Sequence, residues 1–243
     1  MSLLPQEMET PMIDFYGLTS PNVVKIFVML EECGLPYNFI PIDVYQGHQF
    51  TAEFTRLNPN QKIPVIVDSD GPGGKPITVF ESGAILIYLA EKTGRFIPKD
   101  PAERYEMLQW FMIQIASVGP MSGQLVHFSQ FAPAGNEYGH ARYRSEVNRL
   151  FDLIETRLSS HPYVAGSSYS IADIAHWSWL RRHETLGINL ASRPHVKAWL
   201  QTIAAREAVK RAIAKVDTVK STRDTANPDQ LDRFFNRGKY QRA

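Results

Sequence analysis

Before residue 94 the apolar positions of this 243-residue chain switch between two periods, and after it they keep to one. Met12 to Tyr16 reads as a strand and Gly17-Leu18-Thr19-Ser20-Pro21 as a loop. From Asn22 to Glu32, Val23, Ile26, Phe27 and Leu30 recur at helical spacing until Gly34 and Pro36 stop the run. Tyr37 to Val44 alternates with period two, a second strand, and the intervening helix implies that the two strands run parallel. Ile63 to Val67 predicts a third strand, Asp70-Gly71-Pro72-Gly73-Gly74 a turn, and Ile77-Thr78-Val79 a fourth strand in a hairpin with the third. Ser82 to Thr93 is helical again and ends at Gly94. The order is β-α-β, a variable connection, then β-β-α.

Beyond the linker from Gly94 to Pro101, strand signals largely disappear. Ala102 to Ile115 carries an apolar stripe of Met107, Leu108, Trp110 and Phe111, and Gly119-Pro120 is expected to bend or break the run. Tyr143, Val147, Leu150, Phe151, Ile154 and Leu158 repeat at three and four, as an amphipathic helix does. Ser170-Ile171-Ala172-Asp173 fits a variant capping box, with Asp in place of Glu or Gln, opening a helix that holds Trp177, Trp179 and Leu180. Pro194 starts another, with Val196, Trp199, Leu200 and Ile203. The expected organisation is a flexible arm over residues 1–11, an α/β domain over 12–93, a linker over 94–101, an all-α domain over 102–215 and a polar tail over 216–243. Phe234-Phe235 stands isolated in that tail.

Composition narrows the classes. The formal net charge of +1 gives no general pull toward nucleic acid or membrane, and no apolar run is long enough to span a bilayer. Arg142-Tyr143-Arg144 is too brief for a nucleic-acid patch, and Arg181-Arg182-His183 reads as a helix face. The N-terminus lacks the basic start and apolar core of a secretory signal. Cys33 is the only cysteine, which excludes an intrachain disulfide and a thiolate metal cluster; it reads as a small buried hydrophobe and fits a reducing cytoplasm. The seven histidines are scattered without paired ligand spacing, so no metal site is expected.

Two segments carry the candidate chemistry. Asn60-Gln61-Lys62-Ile63-Pro64-Val65-Ile66-Val67 puts a proline at the entrance to an apolar strand. An X-Pro bond is cis far more readily than other peptide bonds, and from the residues alone cis and trans stand level. Phe80-Glu81-Ser82-Gly83-Ala84-Ile85 puts an acid and a hydroxyl at the start of an apolar helix, either an ordinary cap or a place for an anion on unpaired N–H groups. Together they describe a pocket with peptide backbone on one side and a helix N-terminus on the other, suited to a small charged peptide.

These segments, with the Ser170-to-Asp173 cap in an all-helical second domain, resemble the glutathione transferases from about Met12 to Lys215. Thr19-Ser20-Pro21-Asn22, Gln49-Phe50, Leu108-Gln109-Trp110 and Gly119-Pro120-Met121 are most similar to the bacterial Nu-class and its fungal prion-related relatives. One departure is that serine stands before Pro21 where that group has threonine.

The resemblance implies a thioredoxin-like first domain, a cytoplasmic homodimer, and one or two bound glutathiones or the oxidised form. It implies a cis Ile63–Pro64 bond, with Ile63 pairing to the cysteinyl backbone like an added strand. Ser82 would hold the γ-glutamyl carboxylate, Glu81 would face the ammonium, and Lys62 and Gln49 would reach the glycyl carboxylate. Ser20 and Asn22 would stabilise the thiolate, with Thr19 as the competing hydroxyl. Gln114 and Arg149 match positions near the glutathione site, in the same or the partner subunit, or are simply solvated or interhelical. Tyr16, Tyr105, His127 and Phe128 line an acceptor pocket or belong to the core. The implied activity is glutathione-dependent disulfide reduction; the alternatives are conjugation of electrophiles and a non-catalytic glutathione-binding scaffold. No cysteine lies near Ser20, so bound glutathione would have to supply both reducing equivalents.

Overall fold

The computed structural model describes residues 12–238; the expected arm over 1–11 lies outside them. Strands β1 (Ile13–Gly17), β2 (Tyr37–Pro41), β3 (Val65–Asp68) and β4 (Ile77–Phe80) form one sheet in the order β2-β1-β3-β4. β2 lies parallel to β1, while β3 is antiparallel to both β1 and β4. Helix α1 (Pro21–Cys33) makes the crossover, α2 (Ala52–Leu57) lies in the variable connection, and α3 (Ser82–Thr93) follows β4. This is the thioredoxin-like β-α-β, β-β-α order that the apolar pattern predicts. Phe15 sits opposite Phe39 and Ile66 in the register, and its ring meets Phe27 of α1 edge-on at 4.8 Å between centroids.

The sequence predicts one apolar stripe on α1, but the helix is buried nearly all round. Val24, Val28 and Met29 are as inaccessible as Val23, Ile26 and Leu30. The reason is tertiary: α3 packs against it, and so do α7 (Ile171–Leu180) and α9 (Glu207–Thr218) of the second domain, and a helix enclosed in that way needs apolar residues on every face. Gly17, at the junction into α1, has no room for a side chain, since a Cβ there would fall 2.7 Å from Val23 Cγ1. Gly34 ends the helix with φ 69°.

The second domain is helical. It holds α4 (Pro101–Ile113), α5 (Gly119–Gln130), α6 (Glu137–Leu158), α7 (Ile171–Leu180), α8 (Pro194–Ala204) and α9 (Glu207–Thr218). The α-helical run expected to bend or break at Gly119-Pro120 is interrupted just before that pair without ending. A π-helical turn over Gln114–Val118 joins α4 to α5, widening the backbone just before Pro120, which enters α5 as its first-turn proline. The Ser170 capping box forms as the sequence predicts. Asp173 is fully buried there; it accepts from the Ser170 amide and hydroxyl, from the Val164 amide at 2.8 Å and from Trp199 Nε1 at 3.0 Å. Its short side chain thereby ties the start of α7 to α8.

The stretch read as a polar tail from residue 216 is different. Val216 is buried within α9, and after a connection the chain forms α10 (Pro228–Phe235), opened by an Asn227–Gln230 capping box. Phe234 and Phe235, isolated in sequence, find apolar partners in space. The domains are locked further by Glu32 with Arg206 at 2.5 Å and by Glu31 with Arg211 and Lys215 at 2.9 and 2.6 Å, which tie α1 to the helical domain around its C-terminal end.

Candidate functional site

Where β1 gives way to α1, a pocket of about 280 Å³ opens between the two domains. Its floor and walls bring together Ser20, Gln49, Lys62 and Ile63 of the first domain with Trp179 and Arg182 of the second. Thr19 lines it as well. The Ile63–Pro64 bond is cis, and Pro64 is buried beside the lining Ile63. Gln61, also in the lining, holds the left-handed φ of 55°.

Ser20 is the N-cap of α1, accepting from the Val23 amide at 3.4 Å. That bond uses an oxygen lone pair, so the hydroxyl proton remains free to donate into the pocket. Asn22 Oδ1 accepts from Trp179 Nε1 at 3.0 Å. An indole N–H can only donate, which fixes the orientation of the Asn22 amide and leaves its NH₂ as the available group. Trp179, on α7, therefore sets the donor direction of a residue at the start of α1. A hydroxyl, an oriented amide and the positive end of a helix meet there, as stabilisation of a sulfur anion requires.

Gln49 is buried, and its Nε2 donates to the Val44 carbonyl at 3.1 Å. Its Oε1 has no partner among the described residues. The atom left unpaired is an acceptor, which suits an N–H and opposes a carboxylate, so the carboxylate role expected for Gln49 has no support in this geometry. Lys62 is exposed at the rim. The cations that line the pocket with it are Arg182, at the end of α7, and Arg223. Burial, and then the nearby Arg223, lower the pKa of Arg182.

A second cluster lies behind the start of α3. Glu81, exposed, takes φ 70° and ψ 119° and accepts from Asn60 Nδ2 at 3.4 Å. This conformation is rare for a residue with a side chain and costs on the order of 1–3 kcal/mol, a feature that gathers at binding sites. Ser82 is buried, and its Oγ accepts at 3.2 Å from Nζ of Lys25, a lysine only 1 % exposed. Lys25 also donates to Gln114 Oε1 at 2.8 Å. Burial pushes the Lys25 pKa down to about 7, against the opposing pull of Glu81. Gln114 reaches inward from the π-helical turn, and Gly119 makes space for it, since a Cβ there would sit 3.0 Å from Gln114 Nε2. Gln114 thus stands behind Ser82, through Lys25, rather than in the pocket lining.

Arg149 is not brought to either cluster. It lies on the exposed side of α6 and pairs with Glu146 at 2.6 Å. His127 and Phe128 flank a separate cleft near the pocket, and Tyr105 is 68 % exposed. Sequence reasoning missed Lys25, Arg182, Arg223 and Tyr45. For Lys25 a signal was present: a lone cation inside Val23-Val24-Lys25-Ile26-Phe27-Val28-Met29-Leu30 has no solvent-facing side to occupy once the helix is enclosed. Cys33, at the opposite end of α1, touches Thr93 Oγ1 at 3.6 Å, and burial raises its pKa, the reverse of a reactive thiol. Among the described residues no group of three or more His, Cys, Asp or Glu side chains could hold a metal ion.

A thioredoxin-like domain with a cis-proline pocket, closed by a helical domain, defines the class. The chain belongs to the glutathione S-transferase family: residues 19–92 match its N-terminal domain and residues 109–207 its C-terminal domain. Among its relatives, the disulfide-bond oxidoreductase YfcG of Escherichia coli is 46% identical over 205 residues, covering 84% of this chain and 95% of the relative. A Burkholderia graminis glutathione transferase structure with two glutathione molecules bound per subunit is 45% identical, with a TM-score of 0.77 over 85% of this chain and 88% of that one. A Pseudomonas putida glutathione transferase with one glutathione disulfide bound per subunit is 37% identical, with a TM-score of 0.79 over 86% and 93%.

Proposed function

We propose that this protein is a glutathione-dependent disulfide-bond oxidoreductase whose working thiol belongs to glutathione. The observation that carries this reading is that the Ser20 hydroxyl, two residues from the Asn22 amide that Trp179 orients, lines a pocket without a protein thiol beside Ile63. Glutathione sits with its cysteinyl backbone along Ile63, its γ-glutamyl carboxylate at the N-terminus of α3 by Ser82, and its ammonium toward Glu81. Lys62, Arg182 and Arg223 are the cations open to its glycyl carboxylate.

A free thiol has a pKa of roughly 8.5, and donors aimed at the sulfur favour the thiolate. That thiolate attacks one sulfur of a disulfide RS–SR′. The S–S bond breaks, a mixed disulfide GS–SR forms, and R′S⁻ leaves to take up a proton. A second glutathione thiolate then attacks the glutathione sulfur of GS–SR, releasing RS⁻ and oxidised glutathione. Two glutathiones supply the two electrons that reduce the disulfide, and Ser20 and Asn22 hold charge on sulfur without exchanging electrons.

Homodimerisation and a cytoplasmic location belong to the same proposal. Tyr105 and Met112, 68 % and 45 % exposed on α4, offer an apolar surface to a second copy, and the chemistry needs a pool of reduced glutathione. The test is calorimetry with reduced and oxidised glutathione, together with turnover on a small mixed disulfide. Binding with turnover is expected; absence of heat with both ligands overturns the reading.

A further inference from the structure

Downstream of both family domains the chain turns back across the mouth of its own pocket. The Thr222 amide donates to Asp43 Oδ2 at 3.0 Å, Gln46 Nε2 donates to Thr222 Oγ1 at 3.0 Å, and Gln230 Nε2 donates to Gln46 Oε1 at 3.1 Å. These bonds fasten the segment to the loop after β2. α10 then delivers Phe234 and Phe235 into the pocket lining. Phe234 lies 4.9 Å from the Tyr45 ring, on the first-domain side. Phe235 lies 4.6 Å from Phe131 and 4.9 Å from His127, at the end of α5. The Arg233 guanidinium covers the Phe50 ring at 4.6 Å, and Arg237 pairs with Asp232 at 2.6 Å. Two adjacent rings thus bridge the domains over the site.

The closure bears on size. The pocket left beneath the rings is about 280 Å³, at the bottom of the roughly 300–1,000 Å³ that binding pockets span. Phe234 and Phe235 narrow this space on its outer side. Disulfide exchange needs more, because two sulfur-bearing partners must meet in line. Beside the part-buried Thr222–Asp43 bond and the buried Asp232, the strap meets the first domain through the Gln46 bonds at exposed positions and the Tyr45 ring contact, attachments of the kind that open locally while the core stays folded.

We propose that α10 is a movable wall on the acceptor side of the site, and that Phe234 and Phe235 decide which disulfides are admitted. With the rings down, the thiol side of one bound glutathione is covered. A disulfide that itself carries a glutathionyl group enters only when the strap lifts, whereas a small dialkyl disulfide needs less displacement. This inference rests on the glutathione reading above.

The experiment compares the full-length protein with F234A/F235A and with Q46A, which loosens the strap while leaving the rings in place. Each is titrated with reduced and with oxidised glutathione by calorimetry, and melting temperatures verify folding. Removing the rings is expected to tighten oxidised glutathione by about tenfold while reduced glutathione changes by less than about threefold. Q46A is expected to move oxidised glutathione in the same direction by a smaller factor. An unchanged preference between the two ligands in both variants overturns the wall. Weaker binding of oxidised glutathione to F234A/F235A also overturns it, because the rings would then be contacts for the acceptor. Absence of heat with either ligand in all three proteins overturns the glutathione reading and the wall together, an outcome distinct from heat with an unchanged preference.

Discussion

On the proposed reading the site has a thiol end and a glutamyl end; at the first, Ser20 and Asn22 sit half-buried at the start of α1, and a loop-to-helix junction suffices to place them. At the glutamyl end, Lys25, Ser82 and Gln114 meet in the interior from three different helices, with Lys25 bonded to residues 57 and 89 positions away in sequence. One end owes its geometry to local backbone, the other to the packing of one domain on another. On that reading, chemistry that needs access to substrate is built on the local part, and the long-range part would fix where the first half of the ligand lies.

The contrast breaks most sharply at Ser20. If its free hydroxyl proton holds the thiolate, Ser20→Ala should lower kcat/KM for disulfide reduction by roughly 10²-fold, the cost of removing one donor from a developing or resident anion. The ultraviolet absorbance of bound thiolate should titrate at higher pH. Loss of the helix cap accounts for only about 1 kcal/mol of stability, so Ser20→Thr, which caps and donates alike, should restore both. A wild-type rate in the alanine variant would pass the role to Thr19.

At the buried end, Lys25→Met removes a cation while filling its space. Hydrogen bonds to charged groups contribute about 1.5–3 kcal/mol, so glutathione affinity should fall roughly 10- to 100-fold with little change in the thiolate titration. Stability offers a second reading. Lys25 binds its proton with a pKa of about 7 in the fold against 10.5 when unfolded, so between those values the unfolded chain holds more protons. Unfolding free energy should therefore rise with pH from about 7 toward 10.5, and the methionine variant should lose that part of the rise. Equal slopes in chemical denaturation across this range would show that Lys25 is not held in a dry site.

Trp179→Phe joins the two ends. It keeps a ring on α7 but removes the N–H that orients Asn22. A neutral hydrogen bond contributes about 1 kcal/mol, so kcat should drop about fivefold while glutathione affinity holds. A fall in affinity with unchanged kcat would place Asn22 with the glutamyl end instead.

The same division explains what could be read from the amino-acid order. The strand and helix order of the first domain and the Ser170 cap follow from short motifs with local physical causes, whereas the choice of Ser20, Ile63 and Ser82 as candidates needed the family resemblance beside those motifs. Lys25 was not among them, because its meaning depends on Ser82 of α3 and Gln114 of the π-helical turn being brought to it in the interior. Phe234 and Phe235 read as stray apolar residues in a polar tail, since their partners Tyr45 and Phe131 lie far away in the chain. Gly119-Pro120 predicted a bend or a break, and the interruption takes the form of a π-helical turn just before it. In each case the missing information was a neighbour in space.

The smallest effect concerns Arg149, the expected site residue that the single chain brings to neither cluster. Its guanidinium is occupied by Glu146, with Nε and Nη2 at 2.9 and 2.6 Å from that carboxylate. Such exposed pairs contribute little and are screened by salt. If the site is complete within one chain, Arg149→Ala should change kcat/KM for disulfide reduction by less than about twofold, as substitutions at unattached surface positions do. If a second copy presents Arg149 to the pocket, the loss should be larger and should appear in KM for glutathione, since a guanidinium recognises carboxylate rather than sulfur. It should also fade on dilution below the dimer dissociation constant, when the wild type loses the same contact. Measuring KM across protein concentration for both proteins separates the two cases, and it asks whether the long-range half of this site ends at the chain's own surface or continues into its neighbour.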